Sequence, residues 1–488
     1  MSSTTIVLIT LIAYKVVLIA IGFWASRRVE TDSDFFIASG GAGNGLGAWT
    51  AGLSYAASTS SAWVLLGFTG IVFLKGVVGL WLIPGIFAGY GLTWLIIGPR
   101  LNAQTAARGH ITIIDFIRDG LSPKWSRAVG IISAAMILFC FVFYISSQFQ
   151  AAGNALTEVF GISTAKAVIL GAAVIVAYCL MGGFWAASIT DALQALVMVI
   201  ACILVPIAVL VAAGGPGEVI AALKDTQPPA YFSAGGGAMG MAAAGAAMGL
   251  LGTGLGALGQ PQLLNRVMAV RSSRERKKAA AITIIWGVII YTGLIGLAFS
   301  ARALNIDTGG ESLFFAAAET YLPPVAAGIV IAAVLSAVMS TVDSLLLAAA
   351  SAVSHDMGLR YRSPQRALFF GRAAMVGVAA LAVLLTLYLP KDIFSRVLFS
   401  WVALGAAFGP VLLVKCLSPR RRIKGGFVLA AITAGFFCAV IFSGIEGPSA
   451  DMMEKWGSWL IGLTITLCGR GALRTEESAA GTEESPAR

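Results

Sequence analysis

The stretch that decides the fold is Ser54-Tyr55-Ala56-Ala57-Ser58-Thr59-Ser60-Ser61-Ala62-Trp63, which places four consecutive hydroxyl residues inside an apolar segment of about residues 46–73. Serine and threonine compete with the backbone for hydrogen bonds and do not favour a regular helix. Two interpretations stay open from this stretch alone. One is an interrupted membrane helix whose oxygens face a cavity and bind a small cation or a polar solute. The other is a contact face between helices, which small and hydroxyl residues also form.

The composition indicates a membrane protein. Of the 488 residues, 58% are hydrophobic and only 11% are charged, whereas soluble domains contain about 25% charged residues. Long continuous apolar runs exclude a transmembrane β-barrel, whose strands alternate apolar and polar residues. The first apolar run lacks a basic start and an A-x-A cleavage site, so it is expected to be retained rather than removed as a signal peptide. The sequence therefore predicts an all-α polytopic membrane protein.

Apolar runs of roughly 17–25 residues are long enough to cross a bilayer, and they predict thirteen transmembrane helices. Their approximate limits are 4–25, 46–73, 78–98, 128–149, 165–182, 187–212, 238–258, 279–301, 323–351, 370–389, 393–415, 425–444 and 456–469. We expect a single transmembrane domain over residues 1–469, followed by a short polar cytoplasmic tail at 470–488. The longest outward loop, 213–237, is expected to hold a short surface helix.

Basic residues alternate between loops and so predict the orientation. Arginine and lysine cluster at 27–28, 100–127, 266–278, 360–366 and 420–424, and the intervening loops contain few. Because basic loops stay in the cytoplasm, the N-terminus is expected outside and the C-terminus inside. The net charge of +10 is then a signature of topology, and no basic–aromatic interleaving indicates a nucleic-acid partner. The location is expected to be a plasma membrane, and the lack of a targeting segment favours a bacterial inner membrane.

Two carboxylates inside apolar helices are candidate functional groups, since an intramembrane charge costs roughly 2.5–3.5 kcal/mol and normally has a role. Asp191 lies early in the sixth predicted span, and a cap or an interfacial salt bridge is its alternative role. Asp343 lies in the ninth span on one helix face with Ser340 and Ser344, and pairing with a loop arginine is its alternative role. Lys15 and Arg396 lie near span ends and are expected to extend toward the interface.

The seventh predicted span is rich in glycine over residues 246–259 and ends at Pro261. Glycine at this density weakens a helix, which favours a second discontinuous helix; close packing of small residues is the alternative. Spans two and seven are five apart, so two five-span units would be inverted relative to each other. Interrupted helices at matching positions of inverted repeats indicate the binding site of a secondary transporter. The core repeats would cover about residues 46–212 and 238–415.

Other chemistry has little support in the sequence. The six cysteines lie in or beside apolar spans and show neither disulfide nor metal spacing. His110 and His355 are predicted to be isolated loop residues. Because no Ser/His pair and no His/Glu metal pattern is present, we expect no enzyme activity. A passive channel is a remaining alternative function. Saturable uptake that depends on a sodium gradient would exclude it.

Several motifs resemble the sodium/solute symporter family, most closely its sodium/proline symporters. The segment Asp34-Phe35-Phe36-Ile37-Ala38 is similar to the family's D-F-F-x-A, and residues 182–194 are similar to its G-G-F-x-A-x-x-x-T-D-x-x-Q. Gly259-Gln260-Pro261 with Arg266 resembles G-Q-P-x-x-x-x-R, and residues 337–341 resemble A-x-M-S-T. The resemblance implies a LeuT-type five-plus-five inverted-repeat core with discontinuous helices 2 and 7.

The resemblance also implies a sodium site and a solute site. The sodium ligands would be the carbonyls of Ala57, Ser60 and Ala337 and the hydroxyls of Ser340 and Thr341. A candidate second cation site, for sodium or a proton, would involve Asp191, Asp343 and Ser344 beside Ser340. The solute would contact the following residues: Thr59, Ser61, Trp63, Tyr144 and Gln148. Packing between helices is an alternative role for Tyr144 and Trp63.

One departure from the family bears on the solute. Proline symporters have a segment similar to A-S-D-M-S-G at the place where this chain has Ala57-Ser58-Thr59-Ser60-Ser61-Ala62. Thr59 therefore stands where the proline symporters have an acidic residue. Members that transport sialic acid look similar here and use hydroxyls for a substrate carboxylate. The expected function is therefore a sodium-coupled symporter that imports a small, proline-like amino acid or a small carboxylate. The alternative is a non-transporting sensor or scaffold with the same fold. The expected partners are sodium, the solute and the lipid bilayer, with no obligate protein partner evident.

Overall fold

The computed structural model describes residues 3–26, 45–181, 183–358, 364–389, 392–446 and 449–473, and these residues are mostly helical. The predicted all-α class is confirmed. The α-helices are α1 (Ser3–Ser26), α2 (Ala48–Ala62), α3 (Thr69–Lys75), α4 (Leu82–Gly91), α5 (Gly98–Arg108), α6 (Ile113–Arg118), α7 (Pro123–Phe160), α8 (Thr164–Met181), α9 (Phe184–Ala212), α10 (Pro216–Thr226), α11 (Gly240–Gly252), α12 (Pro261–Met268), α13 (Ser273–Ala303), α14 (Leu313–Tyr321), α15 (Pro324–Ser351), α16 (Pro364–Tyr388), α17 (Ile393–Leu417), α18 (Gly425–Phe442), α19 (Ala450–Met452) and α20 (Ser458–Cys468). Strands β1 (Arg421–Ile423) and β2 (Arg470–Leu473) pair antiparallel.

Nine helical segments among the described residues are long and apolar enough to cross a membrane. One of them, Ala48–Arg108, runs without a loop through two of the predicted spans. Shorter apolar helices lie at 8–18 and 164–180, where the first and fifth spans are predicted. Every predicted span therefore coincides with helix, while the count of thirteen stays a prediction. The surface helix expected in loop 213–237 is confirmed as α10.

Local sequence explains where the helices on the path to the site begin and end. Proline occupies the first turn of α12 and α15, where its missing N–H leaves no bond unmade. The short α6 begins with a capping box in which the Thr112 hydroxyl and the Asp115 carboxylate each accept a backbone N–H of the other. Helix α7 ends at Gly161, whose φ of 61° is the left-handed conformation that glycine adopts without strain.

Two helices depart from regular geometry at the positions that the sequence singled out. In α2, Ser61 has φ of −3° and ψ of −171°, and residues Trp63–Phe68 continue as a π-helix. After α11, Thr253–Gly259 form a 3₁₀-helix and Gln260 is extended before α12 begins. Glycine is required at 256, because a Cβ there would lie 1.7 Å from the Trp401 ring. Close packing therefore accounts for part of the glycine density.

The centre of the molecule is α15, whose residues from 330 to 351 are buried. Helices α1, α2, α7 and α9 pack around it. Helix α9 also contacts α2 and α13, so residues from distant parts of the chain face one another here. Arg396 lies near the start of α17, and its side chain is buried within the protein and donates to the Leu389 carbonyl just after α16. The motif at 34–38, Gly182 and residues 474–488 lie outside the described residues, and so does the side chain of Lys15.

Candidate functional site: a buried polar cluster between α2, α9, α12 and α15

Asp191 is the centre of a buried polar network. Its Oδ2 atom accepts hydrogen bonds from the Ser54 hydroxyl at 2.8 Å and from the Ser58 hydroxyl at 3.4 Å. The same oxygen lies 2.7 Å from the Arg266 Nη2 atom in an ion pair whose side chains are only 1% and 2% exposed. Asp191 Oδ1 has no hydrogen-bond partner among the described residues. Asp191 therefore forms a salt bridge, which was its alternative role. This ion pair is buried between α9 and α12.

Arg266 belongs to this network, and its burial was not predicted by the loop-charge count. It is not a solvent-exposed loop residue, because it lies on α12 and is 1% exposed. Its Nε donates to the Ser54 hydroxyl at 2.7 Å, its Nη2 donates to the Ser344 hydroxyl at 2.5 Å, and its Nη1 donates to the Gln262 carbonyl. The sequence signal for it is the resemblance to G-Q-P-x-x-x-x-R, in which Arg266 follows Pro261, the first residue of α12.

The network joins the two helices predicted to hold sodium. Ser58 on α2 and Ser344 on α15 have their hydroxyl oxygens 3.1 Å apart. Ser344 also donates to the Ser340 carbonyl one turn earlier, at 2.6 Å. The serines of α2, the aspartate of α9, the arginine of α12 and the serines of α15 therefore form one contiguous group.

The predicted sodium ligands are all buried in the same region; they are Ala57, Ser60, Ala337, Ser340 and Thr341. The Thr341 hydroxyl donates to the Ala337 carbonyl at 2.9 Å. The Ser340 hydroxyl has no hydrogen-bond partner among the described residues, and the Ser60 hydroxyl faces the Tyr90 phenol without a bond of normal geometry. Buried hydroxyls are nearly always paired, so unsatisfied oxygens on two adjacent helices are typical of a place where a ligand binds.

The predicted solute residues form a second connected group around Ser61. The Gln148 Nε2 atom lies 3.4 Å from the Ser61 hydroxyl, and Gln148 Oε1 accepts the Ala62 N–H at 3.2 Å. The Trp63 indole donates to the Thr59 carbonyl at 3.0 Å. The Tyr144 phenol faces Ser61 without a hydrogen bond of normal geometry. The irregular turn of α2 at Ser61 is thus lined by uncharged hydrogen-bond donors and acceptors.

The Thr59 side chain differs from its expected role in one respect. Its hydroxyl donates to the Tyr55 carbonyl within α2 at 2.7 Å, so in this conformation its hydrogen is directed at its own helix. The hydroxyl oxygen keeps acceptor capacity, and a rotation about χ1 would free the donor. Trp63 also contacts Phe394 of α17, with ring centroids 6.0 Å apart.

Asp343 lies beside this cluster and is 2% exposed. Its Oδ1 atom has no hydrogen-bond partner among the residues that the structure describes, and the Cys179 thiol of α8 faces its carboxylate. No ion pair joins Asp343 to an arginine in the described part of the chain. Asp191 is thus paired with the Arg266 guanidinium, whereas no basic side chain among the described residues pairs with Asp343.

A separate ionic cluster lies where α6 meets the π-helix Ala352–Asp356, which continues α15 and forms the α15 segment with it, and His355 belongs to this cluster. The prediction that His355 is isolated is wrong, because its Nε2 atom lies 2.8 Å from Asp115 Oδ2. Arg118 pairs with the same aspartate, and the Thr112 hydroxyl donates to Asp356 Oδ1 at 2.6 Å. Asp115, His355 and Asp356 bring three ligand-type atoms within 4.8 Å. The guanidinium of Arg118 supplies a cation there, which favours an ion-pair lock between helices over a metal centre.

The electrostatics of Asp115 follow from these partners. Burial raises the pKa of its carboxyl, but the His355 hydrogen bond, the His355 and Arg118 charges and the Ile111 backbone N–H together outweigh burial and hold the pKa well below its usual range. Asp115 is therefore ionised at any physiological pH.

Apolar helices that enclose a shared set of oxygen ligands and buried charges define a secondary transporter of the membrane. Residues 35–435 match the family model of the sodium:solute symporter family, and the chain belongs to this family. It is therefore a sodium-coupled symporter and an integral multi-pass membrane protein, with sodium as its coupling ion.

Relatives and solved structures agree with this assignment. The high-affinity proline transporter of Bacillus subtilis (strain 168) is 31% identical over 87% of this chain and 90% of its own length. The sodium/proline symporter of Escherichia coli (strain K12) is 32% identical over 89% and 88%. A Na⁺-coupled sialic acid symporter has the same fold, with a TM-score of 0.78 and 15% identity over 96% of this chain and 99% of its own.

Proposed function

We propose that the protein imports a small amino acid of the proline type, or a small carboxylate, together with sodium by alternating access. The observation that carries this proposal is the unsatisfied hydroxyl of Ser340 on α15, the buried helix that packs against the irregular helix α2. The relatives named for proline transport support the solute class. Because Thr59 stands where the proline symporters have an acidic residue, a small carboxylate is kept as the alternative solute.

The proposed sodium site uses oxygen atoms from α2 and α15. The ligands are the carbonyls of Ala57, Ser60 and Ala337 and the hydroxyls of Ser340 and Thr341. Hard cations prefer such oxygen ligands, and backbone carbonyls become free where a helix is interrupted. Sodium would then hold the departure of α2 from helical geometry at Ser61 in one arrangement.

The proposed solute site is the neighbouring group of Thr59, Ser61, Trp63, Tyr144 and Gln148. Hydroxyl and amide donors suit a carboxylate, the Gln148 carbonyl oxygen suits an ammonium, and the Trp63 ring supplies an apolar wall. The solute and sodium share α2, so ordering of this helix by one ligand favours the other. By linkage, each ligand then tightens the binding of the other by the same factor.

The architecture proposed for this cycle is a thirteen-helix domain over residues 1–469 with inverted repeats at about 46–212 and 238–415. Discontinuous helices 2 and 7 begin the two repeats, and the two departures from regular helix near Ser61 and Gln260 support them. The N-terminus is proposed outside and the C-terminal tail in the cytoplasm of a bacterial inner membrane. One repeat group rocks against the other around the site.

Uptake into proteoliposomes tests the proposal. Purified protein is reconstituted, an inward sodium gradient is imposed, and labelled proline, other small amino acids and small carboxylates are compared. The expected result is accumulation of one solute class above equilibrium with sodium and not with potassium. Equilibration without accumulation for the whole panel, with protein verified as folded, would overturn the coupling.

A further inference from the structure

We propose that a basic cavity on the side assigned to the cytoplasm binds one phosphate group, either the headgroup of an anionic phospholipid or a soluble phosphate. The cavity has a volume of about 80 Å³ and lies between α5, the end of α6 with the loop after it, and the segment that joins α17 to α18. Its lining residues differ from those of the proposed sodium and solute sites, so the inference does not depend on transport.

The lining of the cavity carries an excess of three positive charges. The charged side chains among its described residues are one carboxylate, of Asp119, and four basic groups, of Arg108, Lys415, Arg421 and Arg422. Arg108 pairs with Asp119. Among the described residues no carboxylate lies within ion-pair distance of the other three basic groups. An anion in the cavity would therefore balance charge that the described part of the chain leaves uncompensated.

Lys415 supplies a fixed positive charge to the cavity. Its Nζ atom donates to the carbonyls of Phe116, Ile117 and Asp119 at 2.8, 2.7 and 2.9 Å, where α6 ends. These contacts use the three N–H donors of the ammonium group, and they leave its charge in place because carbonyls are neutral. Lys415 therefore attracts an anion through its electrostatic potential, and the direct contacts fall to the arginines.

Arg421 and Arg422 are the groups available for direct contact with a phosphate. Both are exposed, and both lie on β1, which is held in place by its pairing with β2. The Arg421 N–H also donates to the Ser418 carbonyl at 3.1 Å, and the Ile423 side chain buries the end of the strand. Arginine binds phosphate oxygens through two parallel N–H donors, and an anchored backbone lowers the entropy lost on binding.

Apolar surface beside the cavity favours a phospholipid as the source of the phosphate. Helices α17 and α18 are both long and apolar enough to cross a membrane, and the cavity lies where one ends and the other begins. Leu417, the last residue of α17, is 61% exposed, and Phe427 on α18 is 38% exposed. The Trp125 ring lies against Gly425 at the start of α18, and tryptophan is enriched at the membrane interface. A headgroup in the cavity would leave its acyl chains beside these apolar residues.

Native mass spectrometry of the purified full-length protein tests the inference by counting bound phosphatidylglycerol and phosphatidylcholine of equal chain length. The wild type should bind one phosphatidylglycerol roughly 10-fold more tightly than phosphatidylcholine. The double variant Arg421→Gln/Arg422→Gln should weaken phosphatidylglycerol binding by roughly 10–30-fold. The matched control is Arg274→Gln/Lys277→Gln, which removes two exposed charges at the start of α13 and should bind as the wild type does.

Asp119→Asn adds a change of opposite sign. It removes the carboxylate from the lining and releases Arg108, while the main-chain carbonyl still accepts from Lys415, so phosphatidylglycerol should bind more tightly. Tighter binding is not expected if these residues serve only to hold the fold together. Weaker binding in Asp119→Asn, or an equal loss of binding in the two double variants, would overturn the inference.

Competition with inorganic phosphate separates the two sources. Phosphatidylglycerol that stays bound at an equal concentration of phosphate would assign the cavity to a lipid headgroup, and displacement would assign it to a soluble phosphate. A wild type that binds phosphatidylglycerol and phosphatidylcholine equally, and that binds no inorganic phosphate by calorimetry, would overturn the inference even if a variant failed to fold.

Discussion

Two polar clusters in this protein, one partly exposed and one buried, are built in opposite ways. In the ionic cluster of α6 and the end of the α15 segment, Asp115 is paired with both His355 and Arg118, and Asp356 accepts from Thr112. In the cluster between α2 and α15, the Ser340 hydroxyl and one oxygen each of Asp191 and Asp343 have no hydrogen-bond partner among the described residues. The Asp191 and Asp343 side chains are buried, whereas the Arg118 and His355 side chains are 21% and 31% exposed, so the unpaired oxygens lie in the cluster that is more fully shielded from solvent.

The difference separates a structural role from a ligand-binding role. Leaving a buried polar atom without a partner costs free energy, and a protein retains such atoms where a ligand satisfies them during function. The paired cluster gains its partners from the chain itself and fastens α6 to the α15 segment. Variants in the two clusters should therefore affect different measurements.

The largest effect is expected from Ser340→Ala. Removing an unsatisfied hydroxyl that is proposed to bind sodium should raise the sodium concentration for half-maximal uptake by roughly 10–100-fold, with little change in thermal stability. Ser354→Ala is the matched control, because this hydroxyl on the same helical segment already donates to the Ala350 carbonyl. Equal sodium dependence in both variants would remove the distinction between the clusters.

Asp115→Asn should act on stability and not on sodium. Loss of the carboxylate leaves Arg118 and His355 without their partner and is expected to destabilise the protein by about 2 kcal/mol at pH 7. Because the folded-state pKa of Asp115 is lowered, its contribution is present above the unfolded value of 3.8 and is lost as pH falls below it. Thermal melts across pH 3–8 check this, and the gap between wild type and variant should narrow only at the acid end. A changed sodium affinity would contradict the assignment.

Gln148→Ala sharpens the comparison within the functional cluster. Loss of its contacts with Ser61 and the Ala62 N–H should raise the KM for the solute by about 10-fold, which corresponds to one good hydrogen bond. The sodium dependence at saturating solute should change little. Gln150→Ala is the control, since Gln150 donates to Asn154 one turn along the same helix, and its KM should stay near that of the wild type.

The smallest effect is expected from Glu311, which accepts the backbone N–H groups of Ile393 and Phe394 at the start of α17. Burial raises the pKa of this carboxyl, against the lowering effect of the two N–H donors. A raised folded-state pKa means that its contribution to stability is full below the unfolded value of 4.5 and is lost as pH rises through the folded value. Wild-type melting temperature should fall over this window, while Glu311→Gln should show a flatter profile. A parallel fall in both would rule out Glu311 as the titrating group.

The sequence was sufficient to predict the helical membrane class and the family, and several of its candidate site residues lie close together in the structure. Hydroxyl and acidic residues inside apolar helices are visible without a structure, so residues 58–61, Asp191 and Asp343 could be identified directly. The burial of Arg266 and Arg396 and the contacts of His355 could not be predicted, because position along the chain cannot show that a residue near a span end turns inward. The contact of Arg266 with Asp191 joins residues 75 positions apart, and that of His355 with Asp115 joins residues 240 positions apart, so both depend on tertiary packing.

The most direct test of the account measures solute affinity with and without sodium. Calorimetric titration of purified wild type and Ser340→Ala with the transported solute, in sodium and in potassium buffer, gives the coupling between the two ligands. The account predicts that sodium tightens solute binding in the wild type and that this gain is lost in Ser340→Ala, while affinity in potassium is the same for both. An equal sodium gain in the two proteins would contradict a coupling site between α2 and α15.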